Sequence, residues 1–184
     1  MNRFFDIIFS LIGLIILLPL LILILILGYI DTKSPIFCQT RVGKNKKPFN
    51  LYKFRSMYKN TKSVSTHLVN NSSITKLGRI LRKSKLDELP QLVNVLKGDM
   101  SFVGPRPNLF NQDELIRERE QLGVYNYVPG ITGLAQINKI DMSTPKLLAE
   151  TDAKMLKNLS FKIYILYILK TATGKGFGDR IVDK

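Results

Sequence analysis

Two residue types that carry much enzyme chemistry are nearly missing from this chain of 184 residues, which holds one cysteine, Cys38, and one histidine, His67. A single thiol excludes an internal disulfide, and an imidazole with no Cys or His cluster around it argues against a zinc site. Both read as ordinary packing or surface residues. Acids are scarce as well: 14 Asp and Glu stand against 28 Lys and Arg, for a net charge of +14. That surplus predicts an anionic partner, whether nucleic acid, anionic lipid head groups or a phosphorylated substrate. No repeat, low-complexity segment or recognised nucleic-acid motif accompanies it. The length suits one domain with a real core and leaves no room for a second sizeable one.

Charge is absent altogether from Ile7 to Ile30, "IIFSLIGLIILLPLLILILILGYI", where only Ser10, Gly13, Pro19, Gly28 and Tyr29 interrupt the aliphatic run. About 20 apolar residues suffice to cross a bilayer core, so the segment is membrane material. A cleaved signal peptide has a shorter apolar region, about 7 to 15 residues, and a small-residue cleavage site; here "DTKSPIF" follows instead. Pro19 removes a helical hydrogen bond and clashes with the preceding turn, so the helix should break there. A kinked span and a re-entrant hairpin returning to the same face both fit. Arg3 lies on one flank and Lys33, Arg41, Lys44, Lys46 and Lys47 on the other, so the positive-inside rule puts the C-terminal side in the cytoplasm. The chain thus divides into a membrane element, 1–31, and a cytoplasmic-face domain, 32–184.

Beyond Asp31 the pattern is α+β and mostly helical. Thr40 to Met57 reads as a small hairpin, with "GKNKKP" as its turn and "FNLYKF" alternating like a strand. Lys76 to Ser84 suits a short basic helix, and Pro90 to Leu96 a compact one that stops at Gly98. Helices are also expected over Asn111–Leu122 and Thr144–Asn158, with Gly130 and Gly133 marking a tight loop between them. "SFKIYILYILKTA" is apolar almost all round and flanked by Lys162 and Lys170; it is either a buried helix or an amphipathic one in the membrane interface, the interface being favoured.

The chemistry concentrates in three stretches. "LDELPQL" sets Asp87 beside Glu88 just ahead of Pro90, where the free N–H groups of an opening helix favour negative charge. "SKLD" there resembles a capping box, with Ser84 as the cap and a purely structural role. The alternative is chemical: one acid attacks a phosphorus while its neighbour holds a metal, and the helix N-terminus cradles phosphate oxygens. "GPRP", Gly104 to Pro107, flanks Arg106 with prolines that stiffen the backbone, presenting a guanidinium in a fixed direction for bidentate phosphate contact, or simply a solvated one. "YKFRSM" carries Lys53 and Arg55, same-facing if this is a strand, and Arg41, Arg79 and Arg82 complete the candidate phosphate ligands.

"LDELPQLVNVLKGDMSFVGPRP", Leu86 to Pro107, taken with "YKFRSM" and "PGITGLAQ", Pro129 to Gln136, resembles the bacterial sugar transferases, the monotopic phosphoglycosyl transferases. The likeness runs in order from the N-terminal apolar segment to about Ser160. It implies transfer of a sugar 1-phosphate from a UDP-sugar to polyprenol (undecaprenyl) phosphate, with release of UMP, as the first membrane step of a surface glycan. It also implies Asp87 as the nucleophile of a covalent phosphosugar intermediate and Glu88 as the ligand of Mg²⁺. Arg106 between Pro105 and Pro107 would contact phosphate, with Gln136 among the substrate-binding residues. A hairpin broken at Pro19 would anchor the protein to the cytoplasmic face of the bacterial inner membrane. Membrane lipids, and a second copy of the chain as a candidate homodimer, are the further partners it suggests; nucleic acid is not among them.

Three departures bear on the substrate. Val128 stands where many members have arginine before Pro-Gly, Asn138-Lys139-Ile140 replaces their Asn-Gly-Arg, and "TDAKML" keeps Asp152 of a tyrosine-rich pattern but none of its tyrosines. "NLFNQDEL" is most similar to small capsule-initiating members that use N-acetylated 6-deoxy amino sugars. The rival from another class is a membrane-tethered basic module for nucleic acid or acidic lipid, which explains the charge but not the adjacent acids.

Overall fold

The computed structural model describes residues 2–59, 61 and 73–173; His67 lies outside them. The chain is α+β and mostly helical. Two 15-residue helices, α1 (Asn2–Ile16) and α2 (Leu18–Thr32), meet at a 64° bend around Leu17. Pro19 sits in the first turn of α2 rather than at the break itself, because its missing N–H and fixed φ suit the opening of a helix and forbid continuity with the previous one. No single helix among the described residues is long and apolar enough to cross a membrane, but the bent pair together meets that test.

The hairpin follows, β1 (Ile36–Val42) antiparallel to β2 (Pro48–Phe54), turning through Lys44–Lys46 with Asn45 and Lys46 left-handed. It starts earlier than the turn residues alone suggested. Next come α3 (Lys76–Ser84), a 3₁₀ turn over Leu86–Glu88, and α4 (Gln91–Lys97), closed by Gly98 at φ 94°, a conformation glycine adopts without steric cost. β3 (Ser101–Val103) pairs in parallel with β4 (Gly130–Thr132), separated by α5 (Asp113–Gln121). The expected tight loop at Gly130 is therefore partly a strand, one too short to give a period-two signal. A Cβ on Gly130 would fall 2.0 Å from the Gly104 nitrogen, so the close backbone approach requires glycine. α6 (Leu134–Ile137), α7 (Pro145–Asn158) and α8 (Phe161–Ala172) complete the described chain.

Ser84 does not cap the dyad turn. It is the last residue of α3, and its hydroxyl donates backwards to the Ile80 and Leu81 carbonyls. The cap of α3 is Thr75, a buried residue whose Oγ1 accepts from Gly78 N at 2.9 Å. Thr75→Ala is expected to cost about 1 kcal/mol, and Ser84→Ala less than about 0.5 kcal/mol, as read from denaturant midpoints; equal losses would contradict this assignment.

Small buried clusters bind the elements together. Leu51, Val95 and Met100 join β2 to α4, each side chain contributing about 1.5–3 kcal/mol by its burial. Ile24, Phe54 and Leu81 join α2 to β2 and α3. α8 is buried on one face and open on the other: Tyr164 and Tyr167 are buried with Val103 and Met155, while Phe161, Leu166 and Leu169 are exposed.

Polar contacts fix α1 as firmly as apolar ones. The Arg3 guanidinium donates to the last carbonyls of α4, Val95 O and, at 2.6 Å, Leu96 O. The carboxylate of Asp6, a buried residue, accepts on Oδ1 from Ser101 Oγ (2.9 Å), Phe102 N (3.0 Å) and Tyr164 Oη (2.7 Å). Burial, reinforced by this bond, pushes the Tyr164 hydroxyl far above its ordinary range, so it stays a donor.

Candidate functional site

Lys85 ends α3 in a left-handed conformation, φ 59°, and turns the chain directly into the 3₁₀ residues Leu86–Glu88. A lysine there costs about 1–3 kcal/mol, a strain of the kind found at functional sites. The turn delivers Asp87 and Glu88, 2% and 8% exposed, to the opening of α4. Asn94, fully buried in α4, locks that helix against β2 by accepting from Tyr52 N at 3.0 Å and donating to Asn50 O at 2.7 Å. Its amide takes the place of a neighbouring strand, and the adjacent residue, Lys53, is thereby held facing the dyad.

Glu88 Oε1 accepts from Lys53 Nζ at 3.3 Å and from Arg106 Nη2 at 2.9 Å. Carboxylates from one turn, a lysine from the hairpin and an arginine from the "GPRP" loop thus converge, although they are 18 and 35 residues apart in sequence. Lys53 and Arg106 thus set two positive charges against buried Glu88 and beside its neighbour Asp87, in charge-assisted contacts that fix the direction of each group.

The other expected ligands divide. Arg41 Nη1 donates to Pro107 O at 3.3 Å and Nη2 to Gln39 Oε1, so it grips the loop backbone. Arg82 Nε binds Ser56 Oγ at 2.8 Å, and Arg79 is exposed on α3. Arg55 lies one residue beyond β2, where its N–H still donates to Pro35 O, and its guanidinium donates to Ser34 O at 2.8 Å and covers the ring of Phe37, the residue opposite Lys53; it shares the Lys53 face as expected but is engaged by the start of the hairpin. Gln136 is buried in α6, and among the described residues neither its Oε1 nor its Nε2 has a hydrogen-bond partner. A Cβ on Gly133 would stand 2.8 Å from that Oε1 and 2.7 Å from Gly104 O, which places the Gln136 amide behind the start of the loop.

Arg119 and Asn108 carry no sequence signal of their own. Arg119 sits in the charged stretch "DELIREREQ", where only the i, i+4 pairing with buried Leu115 distinguishes its face. Its fully buried side chain binds Asp152 Oδ2 through Nη2 at 2.7 Å and Nε at 3.1 Å. The Asp152 retained from the tyrosine-rich pattern is thus a structural partner of the loop region.

With this geometry in view the comparisons are specific. The sequence profile of the family described as "Bacterial sugar transferase" matches residues 1–175. The chain belongs to the bacterial sugar transferase family. It is 33% identical to the UDP-N-acetylgalactosamine-undecaprenyl-phosphate N-acetylgalactosaminephosphotransferase of Aeromonas hydrophila, over 97% of this chain and 45% of that protein. The undecaprenyl-phosphate galactose phosphotransferase of Salmonella typhimurium is 39% identical over 94% of this chain and 40% of its own length. The uncharacterized sugar transferase EpsL of Bacillus subtilis is 43% identical over 78% of this chain and 73% of its own length. The chain therefore spans less than half of the first two relatives and most of the third. The dyad, the Arg106 loop and the bent helix pair all fall within the span matched to the family.

Proposed function

We propose that the protein is a phosphoglycosyl transferase that moves a sugar 1-phosphate from a UDP-sugar to undecaprenyl phosphate, in two steps through Asp87. In the first, an Asp87 carboxylate oxygen bonds to the sugar-bearing phosphorus of the UDP-sugar and the diphosphate P–O bond breaks, releasing UMP. In the second, a phosphate oxygen of undecaprenyl phosphate attacks the same phosphorus and the Asp87 carboxylate leaves. The observation that carries this reading is the convergence of Lys53 and Arg106 on Glu88 beside Asp87. An anionic nucleophile meeting an anionic diphosphate needs neutralisation and positioning above all, and these cations are fixed before substrate arrives.

The residues present fit Mg²⁺. Among the described residues no cluster of three or more acidic, His or Cys side chains forms a closed cage, and Mg²⁺ is commonly bound by one or two carboxylates together with substrate phosphates. Glu88 would hold it, with Asp87 adjacent. When bound, it would neutralise phosphate charge; Lys53 and Arg106 orient the same phosphates, and burial of the dyad excludes water from the acyl phosphate.

The bent pair supports a re-entrant, monotopic anchor on the cytoplasmic face of the inner membrane. Both its ends are tied to the same body, through Arg3 and Asp6 at one end and through Ser34 with Arg55 at the other. Each helix is about 22 Å long, so a symmetric V with a 64° bend reaches about 12 Å beyond its ends, well short of a hydrocarbon core about 30 Å thick. The exposed apolar face of α8 would rest at the interface beside it. The sugar we assign is an N-acetylated amino sugar, with a 6-deoxy one favoured by "NLFNQDEL", and the product would start a surface glycan such as a capsule, O-antigen or glycoprotein glycan.

UMP release measured over a panel of UDP-sugars, with undecaprenyl phosphate and Mg²⁺, tests the reaction and names the sugar. One or two UDP-N-acetyl amino sugars should stand out, chelation by EDTA should stop release, and added Mg²⁺ should restore it. Release that is indifferent to chelation would remove the metal from the proposal.

A further inference from the structure

Arg106 lies in a segment whose backbone can be gripped almost solely by its carbonyls, since Pro105 and Pro107 have no N–H. All four successive carbonyls are held. Pro105 O accepts from Gly130 N at 2.8 Å, Arg106 O from Arg119 Nη1 at 2.9 Å, Pro107 O from Arg41 Nη1 at 3.3 Å, and Asn108 O from Val42 N at 3.0 Å. Arg119 makes the most connected of these holds. Its Nη1 is shared between Arg106 O and Asn108 Oδ1 (3.0 Å), so it clasps the chain on both sides of Pro107. Tyr125 Oη donates to the same Asn108 Oδ1 at 3.0 Å. The gap between this loop and Tyr125 is a cavity of only about 10 Å³, room for about one water.

We propose that Arg119, oriented by Asp152, is a positioning residue that sets the direction of the Arg106 guanidinium toward the dyad. Arg106 is then pinned at two points, its carbonyl by Arg119 and its guanidinium by Glu88 at 2.9 Å. Arg119 touches no reacting atom; it acts through the backbone of the residue that does. The buried pair also has a cost that stability alone does not explain, since apolar residues of similar volume commonly replace such pairs without loss. No apolar side chain could hold the Arg106 carbonyl, and a lysine lacks the planar fork that serves Asp152 and the loop together. Burial pushes the Asp152 carboxyl above its ordinary range, and the Arg119 guanidinium opposes that rise.

The inference rests on the reading of Arg106 as a phosphate ligand in UMP release, and two variants test it in the full chain. Arg119→Lys should lower kcat about 10- to 100-fold, the scale of a misplaced catalytic group, with KM for the UDP-sugar changed less than about threefold. The pair Arg119→Met with Asp152→Leu fills the same space without charge; it strands the Arg106 carbonyl, so it should melt somewhat below the wild type while remaining folded, and it should show the same fall in kcat. In an Arg106→Ala background either change should cost less than about twofold more, because the residue through which Arg119 acts is gone. Equal losses in both backgrounds, or a Met/Leu variant with full activity, would overturn the proposal. A second readout does not depend on turnover: the Arg106 guanidinium Nε–H resonance, assigned by its loss in Arg106→Lys, should move in Arg119→Lys, and an unmoved resonance would also overturn it. No UMP from the wild type would count against the reaction itself, leaving the resonance to decide the role of Arg119.

Discussion

Asp87→Asn should reduce UMP release by at least about 10³-fold, equivalent to about 4 kcal/mol of transition-state stabilisation. The substitution preserves shape at a position only 2% exposed and exchanges a nucleophilic carboxylate oxygen for an amide. If the acid served only the opening of α4, the same change would cost about 1 kcal/mol of stability and leave turnover intact. The two accounts therefore differ by orders of magnitude in rate and hardly at all in folding. Mass spectrometry sharpens the contrast. Incubated with UDP-sugar alone, the wild type should gain a sugar-phosphate mass on the peptide carrying Asp87, and the asparagine variant none. Full UMP release by Asp87→Asn would dispose of the covalent route.

The largest loss of stability is expected at Asp6. Its Oδ1 is the acceptor for three donors, Ser101 Oγ, Phe102 N and Tyr164 Oη, and Asp6→Leu would strand Phe102 N and leave the Ser101 and Tyr164 hydroxyls only each other. At about 1–3 kcal/mol for each group left unpaired, one backbone N–H and one of the two hydroxyls, the change should remove about 2–6 kcal/mol, a large share of a typical domain's stability. Asp6→Asn retains Oδ1 as an acceptor and should lose much less. Chemical denaturation in detergent micelles measures both; similar losses would mean that the charge, and not the three bonds, holds α1 in place. The pH dependence has a definite sign. Because burial and Asp6 raise the folded-state pKa of Tyr164, its contribution is whole below the ordinary tyrosine value of about 10 and declines as pH rises above it. Tyr164→Phe should flatten that part of the alkaline decline.

Much of this framework was legible from local signals. The helix over Lys76–Ser84 announced itself through its basic face, α4 through Pro90 and Gly98, and the break in the apolar run through Pro19. Asp87, Glu88 and Arg106 stood out because acids before a proline and an arginine between prolines are locally odd. What escaped depended on distant pairing. Asp6 borders the uncharged run and carries no local signal, since its partners lie in β3 and α8. Arg119 was hidden among charged neighbours, since nothing local separates a buried arginine from a solvated one. Ser84 misled for the complementary reason: a capping pattern is recognisable, but whether the helix has begun or ended at that residue is decided by the left-handed Lys85.

The docking of α1 also sets a schedule for biosynthesis. Asp6 leaves the ribosome 95 residues before Ser101 and 158 before Tyr164. At about 5–20 residues per second, the acid waits roughly 8–30 s for its last donor. For most of that interval, once Thr32 has followed, the apolar helices are complete and the domain that must clasp them is not. If the pair anchors the chain as proposed, its insertion into lipid should precede closure of the clasp, and the hairpin would serve as the platform on which the rest of the chain assembles.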